Sequence, residues 1–182
     1  MKYATKTTPP AVEPSLRWTE VSAESPVDVQ PSGPNVLTLD YCDIRLGGRL
    51  EKGLYFYDAQ RRTFAQHGLP ANPWDSAVQY RTNILDLDRF PSDSGFEATF
   101  WFEAAPGLDF DSLRLVVERP GLYRVSINGV EAAPLDKEWW LDESFGVFEL
   151  GRLARPGKNS VTLKCRQFSI SSELEPVYVL GN

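Results

Sequence analysis

Histidine, cysteine and methionine are scarce in this chain of 182 residues, which holds one His, two Cys and one Met. A zinc or copper site draws on several imidazoles or thiolates, and His67, Cys42 and Cys165, widely separated in sequence, supply no such set. A Ser-His-Asp hydrolase also needs a nucleophile turn of the Gly-x-Ser-x-Gly kind, and the chain has none. His67, between Gln66 and Gly68, reads as a surface loop residue. Neither cysteine sits in a Cys-x-x-Cys, which removes zinc-ribbon and thioredoxin-type chemistry. Each lies in or beside a strand pattern, leaving two outcomes open: buried free thiols, or one disulfide.

Long apolar runs are missing as well. None approaches the ~20 residues that span a bilayer. Met1-Lys2 leads into Tyr, Ala, Thr and Lys rather than into the apolar core of a signal peptide. The chain closes on a strand-like run, Val177 to Leu180, with Gly181-Asn182 behind it. These ends suit a segment of a larger secreted or periplasmic protein better than a free cytoplasmic one. Clustered positive charge is absent too. Nineteen basic residues face twenty-five acidic ones, for a net charge of −6, and Arg61-Arg62 is the only adjacent basic pair. Nucleic acid and anionic membrane surfaces are therefore poor partners.

What the chain has is aromatics, turns and alternation. Five Trp, seven Tyr and ten Phe accompany 13 Gly and 14 Pro. Residues 1–34 are rich in Pro, Ser and Thr and read as an extended arm or linker, with Trp18 expected to dock. The remainder, 35–182, reads as one domain. Val36 to Leu46 is a strand pattern whose phase slips suggest a bulge, and Gly47-Gly48 offers a hairpin turn. Asp58 is placed to cap a short helical stretch from Ala59 to Phe64. Val78 to Leu85 and Phe96 to Phe102 alternate cleanly, as half-buried strands do. Leu113 to Glu118, Leu122 to Ile127, Val147 to Leu150, Ser160 to Cys165 and Val177 to Leu180 add five more. Asn128-Gly129 supplies the two positive-φ residues of a tight type I′ turn. Many short strands with Gly/Pro turns imply an all-β, antiparallel β-sandwich.

The ordered set Tyr123-Arg124-Val125-Ser126-Ile127-Asn128-Gly129, a polar loop, then Pro156-Gly157-Lys158-Asn159-Ser160-Val161-Thr162-Leu163 resembles the galactose-binding-like jelly roll. That module is the sugar-binding or ancillary domain of family 2 glycoside hydrolases and related polysaccharide-degrading enzymes. Asn35 to Asp40 resembles its opening strand, and Val78 to Thr82 its "Tyr-Arg" strand; the likeness covers roughly Asn35 to Gly181. The resemblance implies a non-catalytic module, because in those enzymes the catalytic carboxylate pair sits on a separate barrel domain. The residues agree. Asp86, Asp88, Asp93, Asp109, Asp111, Asp142 and Glu143 carry no pattern that marks an acid or a nucleophile.

The expected function is carbohydrate binding, with a catalytic domain of a parent enzyme as the other partner. Sugars stack their CH faces on flat aromatics and offer hydroxyls to carboxylates, amides and guanidinium groups. Trp139 and Trp140, followed by Asp142, fit that chemistry best, with Trp74 second. On a strand one of the two adjacent Trp points inward. Trp101, between Phe100 and Phe102, reads as core or sheet surface. The alternative is an interaction domain whose aromatics brace a catalytic domain. No cofactor is expected. Modules of the kind this chain resembles often hold a structural calcium, for which the Asp40/Asp43 region or the loop from Asp86 to Asp93 could supply oxygens.

Overall fold

The computed structural model describes residues 30–75 and 85–181, and two antiparallel sheets account for their architecture. The strands are β1 (Asn35–Leu39), β2 (Tyr41–Leu46), β3 (Arg49–Tyr55), β4 (Phe96–Ala104), β5 (Arg114–Glu118) and β6 (Arg124–Ile127). Then follow β7 (Val130–Ala132), β8 (Trp139–Trp140), β9 (Asp142–Glu149), β10 (Gly157–Cys165) and β11 (Val177–Gly181). One sheet runs β1-β11-β5-β9-β8 and the other β3-β2-β4-β10-β6-β7. The expected all-β sandwich is therefore the observed architecture. It belongs to the unit Gly33–Asn182. The arm expected over residues 1–34, its Trp18, and the strand expected from Val78 to Leu85 fall on or largely within segments outside the described residues; Leu85–Leu87 itself is a 3-10 turn.

Alternation places the core. β4 and β10 pair over nine residues, from Phe96 opposite Cys165 to Ala104 opposite Gly157. Phe96, Ala98, Phe100 and Phe102 point inward from one strand, Val161, Leu163 and Cys165 from the other. Leu115, Val117, Phe148, Val177 and Val179 meet them from the five-stranded sheet. A fully buried ring or branched chain stabilises the fold by about 1.5–3 kcal/mol, so this layer dominates stability. β5 is buried on both faces, because Val116, with Val147 and Leu180, is covered on the outer side by Leu135, Trp140, Phe145 and Tyr178. That explains why Leu115-Val116-Val117 is a continuous apolar run instead of an alternating one.

Several local expectations change. The stretch Val36 to Leu46 is two strands in different sheets, not one bulged strand. β1 pairs β11 while β2 pairs β4 and β3, and the phase slip at Asp40 is where the chain crosses over. A bulge does occur, between β2 and β3, where the register shifts between Cys42 and Ile44. The helix α1 (Phe56–Gln66) begins earlier and runs longer than expected. Tyr55, not Asp58, holds its N-cap and provides no side-chain cap; Asp58 lies in the first turn, 3.8 Å from Arg61. The cause is tertiary: Ala59, Gln60, Thr63 and Phe64 bury one stripe of α1, and that burial sets its length. Both cysteines are buried free thiols. Burial, with Asp43 adjacent, pushes the Cys42 thiol up to about 12, which makes it inert.

His67 is not a free surface residue. Its ring stacks on Phe168 at 3.9 Å between centroids, and its two nitrogens lie 2.6 Å from the carbonyls of Thr63 and Ser94. It fastens the end of α1 to the loop before β4.

Candidate functional site

The six-stranded sheet turns a polar face outward, opposite the apolar face it buries. On β4 that face carries Glu97, Thr99 and Trp101, on β2 Asp43 and Arg45, on β10 Lys158, Ser160, Thr162 and Lys164. Register sets them side by side: Asp43 opposite Thr99, Arg45 opposite Glu97, Thr162 opposite Thr99 and Lys164 opposite Glu97.

Trp101 is the flat element of this surface, and it is 44% exposed. Its indole N–H donates to Asp43 Oδ2 at 3.0 Å, which fixes the ring in place. Asp43 is itself held, because Oδ1 accepts the Gly53 N–H at 2.9 Å. Gly53 lies at φ +64°, within the extra length of β3 at the bulge, and that excursion aims its N–H at Asp43. The Lys158 ammonium sits 4.0 Å from the centre of the Trp101 ring. At an exposed site such a contact is worth about 0.5–1 kcal/mol, so a ligand can displace it. Beside the ring, the Thr99 and Thr162 hydroxyls share a hydrogen bond at 2.9 Å. Glu97 lies 3.8 Å from Arg45 and 2.9 Å from Lys164.

Asp43, Arg45, Glu97, Thr99 and Trp101 line a groove of about 230 Å³, walled also by Leu50 and Lys52. It shares Arg45 and Glu97 with a larger hollow of about 600 Å³ that reaches Gly47-Gly48, Asp93 and Arg166 at the end of the sheet. The surface thus offers a ring for CH stacking and hydroxyl, carboxylate, ammonium and guanidinium groups for sugar hydroxyls.

The residues favoured from the sequence lie elsewhere. Trp139 and Trp140 form β8, the outer strand of the other sheet. Trp139 is 53% exposed, while Trp140 is half-buried against Phe145 and Tyr178, at centroid distances of 6.2 and 5.3 Å. Asp142 is exposed and turned back on its own strand, accepting from the Ser144 N–H and hydroxyl at 2.7 and 2.6 Å. Those bonds hold its carboxyl below the usual carboxylate range. Trp74 is half-buried in a 3-10 turn and donates its indole N–H to the Ile170 carbonyl at 2.6 Å, which ties two loops together. Among the described residues no hydrogen bond or ring contact joins Trp74 to Trp139, Trp140 or Asp142. Sequence reading underrated Trp101; the signal was its place at an outward position of a clean alternation, between two buried Phe.

A second constellation also escaped notice. Arg119 lies 3.3 Å from Glu118 and donates to Glu173 at 2.9 Å, while Asn72 and the Tyr123 hydroxyl hold Glu173 through its other oxygen and its carbonyl, at 2.7 and 2.8 Å. This is a clasp that fixes the segment before β11. Glu175 beside it is half-buried, and burial, then the charges of Glu118 and Glu173, push its carboxyl up to about 7. The folded state therefore binds a proton that the unfolded chain has released, and stability falls as pH rises between about 4.5 and 7. Discounted for its partial exposure, the loss is about 1–2 kcal/mol. Glu175→Gln is expected to be more stable than the parent by that amount at pH 8, with the gain gone near pH 4.5; urea unfolding at the two pH values measures it. An equal gain at both would mean that Glu175 acts through packing and not charge.

The described residues do not present a calcium cage. No group of three or more His, Cys, Asp or Glu is placed to hold a metal among them. Asp88 spends its oxygens on the Ile170 N–H and the Ser169 hydroxyl at 3.1 and 3.0 Å, as Asp43 spends its own on Gly53 and Trp101.

No protein-family model matches this chain, and no curated protein matches it.

Proposed function

We propose that this domain is a non-catalytic carbohydrate-binding module that serves a larger polysaccharide-degrading enzyme. The observation that carries the reading is Trp101: an exposed indole, fixed by Asp43, in a groove whose other walls are Thr99, Leu50 and the charged Asp43, Arg45, Lys52 and Glu97. Its motifs resemble galactose-binding-like ancillary domains, which supports the same reading. The chain's only histidine is committed to two backbone carbonyls, which speaks against an acid–base role for it. The glycan lies over β2, β4 and β10, with one sugar ring stacked on Trp101 in place of Lys158.

A second reading has its own observation. Trp139 and Leu141, 53% and 68% exposed, stand together at the β8–β9 turn, and Leu141 holds φ +66°. A bracing domain would press such a tip against its catalytic partner.

Affinity electrophoresis against a panel of soluble polysaccharides separates the two. Selective retardation by one polysaccharide is expected. Trp101→Ala should weaken it about tenfold or more, roughly 1.4 kcal/mol, with little change in Tm. Trp139→Ala should leave it intact. Retardation by none of the polysaccharides would remove the sugar reading and leave the bracing one, and loss of binding in Trp139→Ala alone would move the site to the β8 edge.

A further inference from the structure

The aromatic surface does not end at Trp101. One residue past the Cys42–Phe100 pair, register sets Tyr41 of β2 beside Trp101 of β4, and the two wall a hollow of about 370 Å³. On its other side Tyr41 pairs with Tyr55 of β3, their ring centres 5.7 Å apart. Ser160 of β10 stands opposite Trp101. Directly opposed residues of antiparallel strands share a face. Ser160, Trp101, Tyr41 and Tyr55 thus form one row across β10, β4, β2 and β3, transverse to the strands. Trp101, Tyr41 and Tyr55 are 44%, 60% and 41% exposed. A cross-strand aromatic pair stabilises a hairpin, which accounts for Tyr41 beside Tyr55. It does not call for a third ring on the next strand, held by the Asp43 carboxylate and left open to solvent.

Spacing, tilt and charge say what such a row fits. Neighbouring strands are about 4.8 Å apart, so the row runs about 10 Å from β4 to β3. One strand spacing is close to the length of one sugar residue in an extended glycan, and the row offers successive residues of one chain a ring each. The planes of Tyr41 and Tyr55 differ by 57°. A crystalline polysaccharide face is flat and asks for coplanar rings, whereas a single chain turns from residue to residue and follows tilted ones. The members of the row are uncharged, and the charges beside it balance. Asp43 and Glu97 offset Arg45 and Lys52 in the groove. Asp40 and Glu103 wall the hollow, and Lys158 stands opposite Glu103. No surplus of cations draws an anionic ligand here, while carboxylates and phenol hydroxyls serve sugar hydroxyls.

We propose that the ligand is a single, uncharged polysaccharide chain that crosses the strands, with successive sugar residues on Trp101, Tyr41 and Tyr55; this rests on the carbohydrate-binding reading above. Affinity then grows with chain length until the row is filled.

The test uses soluble arabinan, galactan, galactomannan, xylan and polygalacturonate with insoluble crystalline cellulose, and then oligosaccharides of increasing length cut from the polymer that is retained. A neutral soluble polymer is expected to be retained at low and high salt alike. Affinity for its oligosaccharides should rise about tenfold or more from the mono- to the trisaccharide. Tyr41→Ala should weaken trisaccharide binding about fivefold and flatten the length dependence. Trp139→Ala, on the other sheet, should change neither. Affinity already complete with the monosaccharide, or equal trisaccharide binding by Tyr41→Ala and the parent, overturns the row and leaves a sugar on Trp101 alone standing. Retention by polygalacturonate alone overturns the uncharged assignment, and binding to crystalline cellulose without any soluble polymer overturns the single chain. No binding to any of them removes the carbohydrate reading itself, and this inference with it. Should Tyr41→Ala fold poorly, the parent's length and salt dependence decide alone.

Discussion

Gly151→Ala is expected to cost about 3 kcal/mol or more, because the added methyl has nowhere to go. A Cβ at Gly151 would stand 2.0 Å from the Phe110 carbonyl oxygen, 2.8 Å from its carbon and 3.1 Å from Asp111 Cα. All three are backbone atoms, so no side chain can rotate away. The residue follows β9 directly after Leu150, which is fully buried and closes the core. Opposite it runs the 3-10 turn Phe110–Ser112, capped by Asp109, whose carboxylate accepts the Asp111 N–H at 3.2 Å. Relief requires either the turn to lift from the sandwich or Leu150 to leave its pocket. For a domain of this size the loss corresponds to a fall in Tm of roughly 6–12 °C. Gly121→Ala is the control: nothing lies within 4 Å of its Cβ position, and it is expected to change stability by less than about 0.5 kcal/mol. Parallel thermal melts read the difference. Equal Tm values for the two variants would mean that the turn does not press on Gly151.

Asn159→Ala is expected to cost a similar amount, about 3 kcal/mol, through lost hydrogen bonds instead of overlap. Asn159 is buried, at 1% exposure. Its Oδ1 accepts from Asn128 Nδ2 at 2.8 Å and from the Arg155 N–H at 2.9 Å, and its Nδ2 donates to the Arg155 and Gly157 carbonyls, each at 2.8 Å. Truncation leaves the Arg155 N–H and the Arg155 and Gly157 carbonyls, part-buried in these bonds, without their partner, and each unmade bond costs about 1–3 kcal/mol less whatever water can recover. Asn128 is the other half of the device. It sits at φ +50° in the β6–β7 turn, accepts the Ser160 N–H at 3.0 Å, and also reaches the Leu153 carbonyl at 2.8 Å. Together the two amides lock the turn after β6 to the entry of β10. Asn159→Asp separates packing from donation. It keeps the shape but sets a carboxylate against two carbonyls, so at neutral pH it should be no more stable than the alanine variant. It should recover as the acid protonates. Urea unfolding at pH 7 and pH 4 measures both, and an alanine variant within 0.5 kcal/mol of the parent would rule out this network as a source of stability.

These two positions bear on how much the chain discloses before it folds. The strand patterns of Phe96–Phe102, Leu113–Glu118, Leu122–Ile127, Ser160–Cys165 and Val177–Leu180 were legible because a half-buried strand must alternate and a doubly buried one must be continuously apolar. The tight turn at Asn128-Gly129 was legible for an equally local reason: both residues hold positive φ, at 50° and 82°. The all-β sandwich followed from these elements. Sequence could not show that the asparagines of the two motifs, thirty-one positions apart, are bonded to each other.

The misreadings share a cause. At Asp40 a slip in phase looks the same whether a strand bulges or leaves for the other sheet; only the partners of β1 and β2 distinguish them. Asp58 has the chemistry of a cap, yet packing of Phe64 and Ala59 decided where α1 begins. His67 looks like a loop residue until Phe168 arrives beneath it from a hundred residues on.

Composition and periodicity by themselves determined the layers, the scarcity of histidine and cysteine, and the overall negative charge, because each depends on residue type and local spacing. Tertiary structure alone decided which tryptophan stands beside hydroxyls and charges. Trp139, Trp140, Trp74 and Trp101 are chemically the same group. Cross-strand register gave Trp101 the neighbours Asp43, Thr99 and Lys158, and it gathered on one face charged groups of both signs that the sequence scatters.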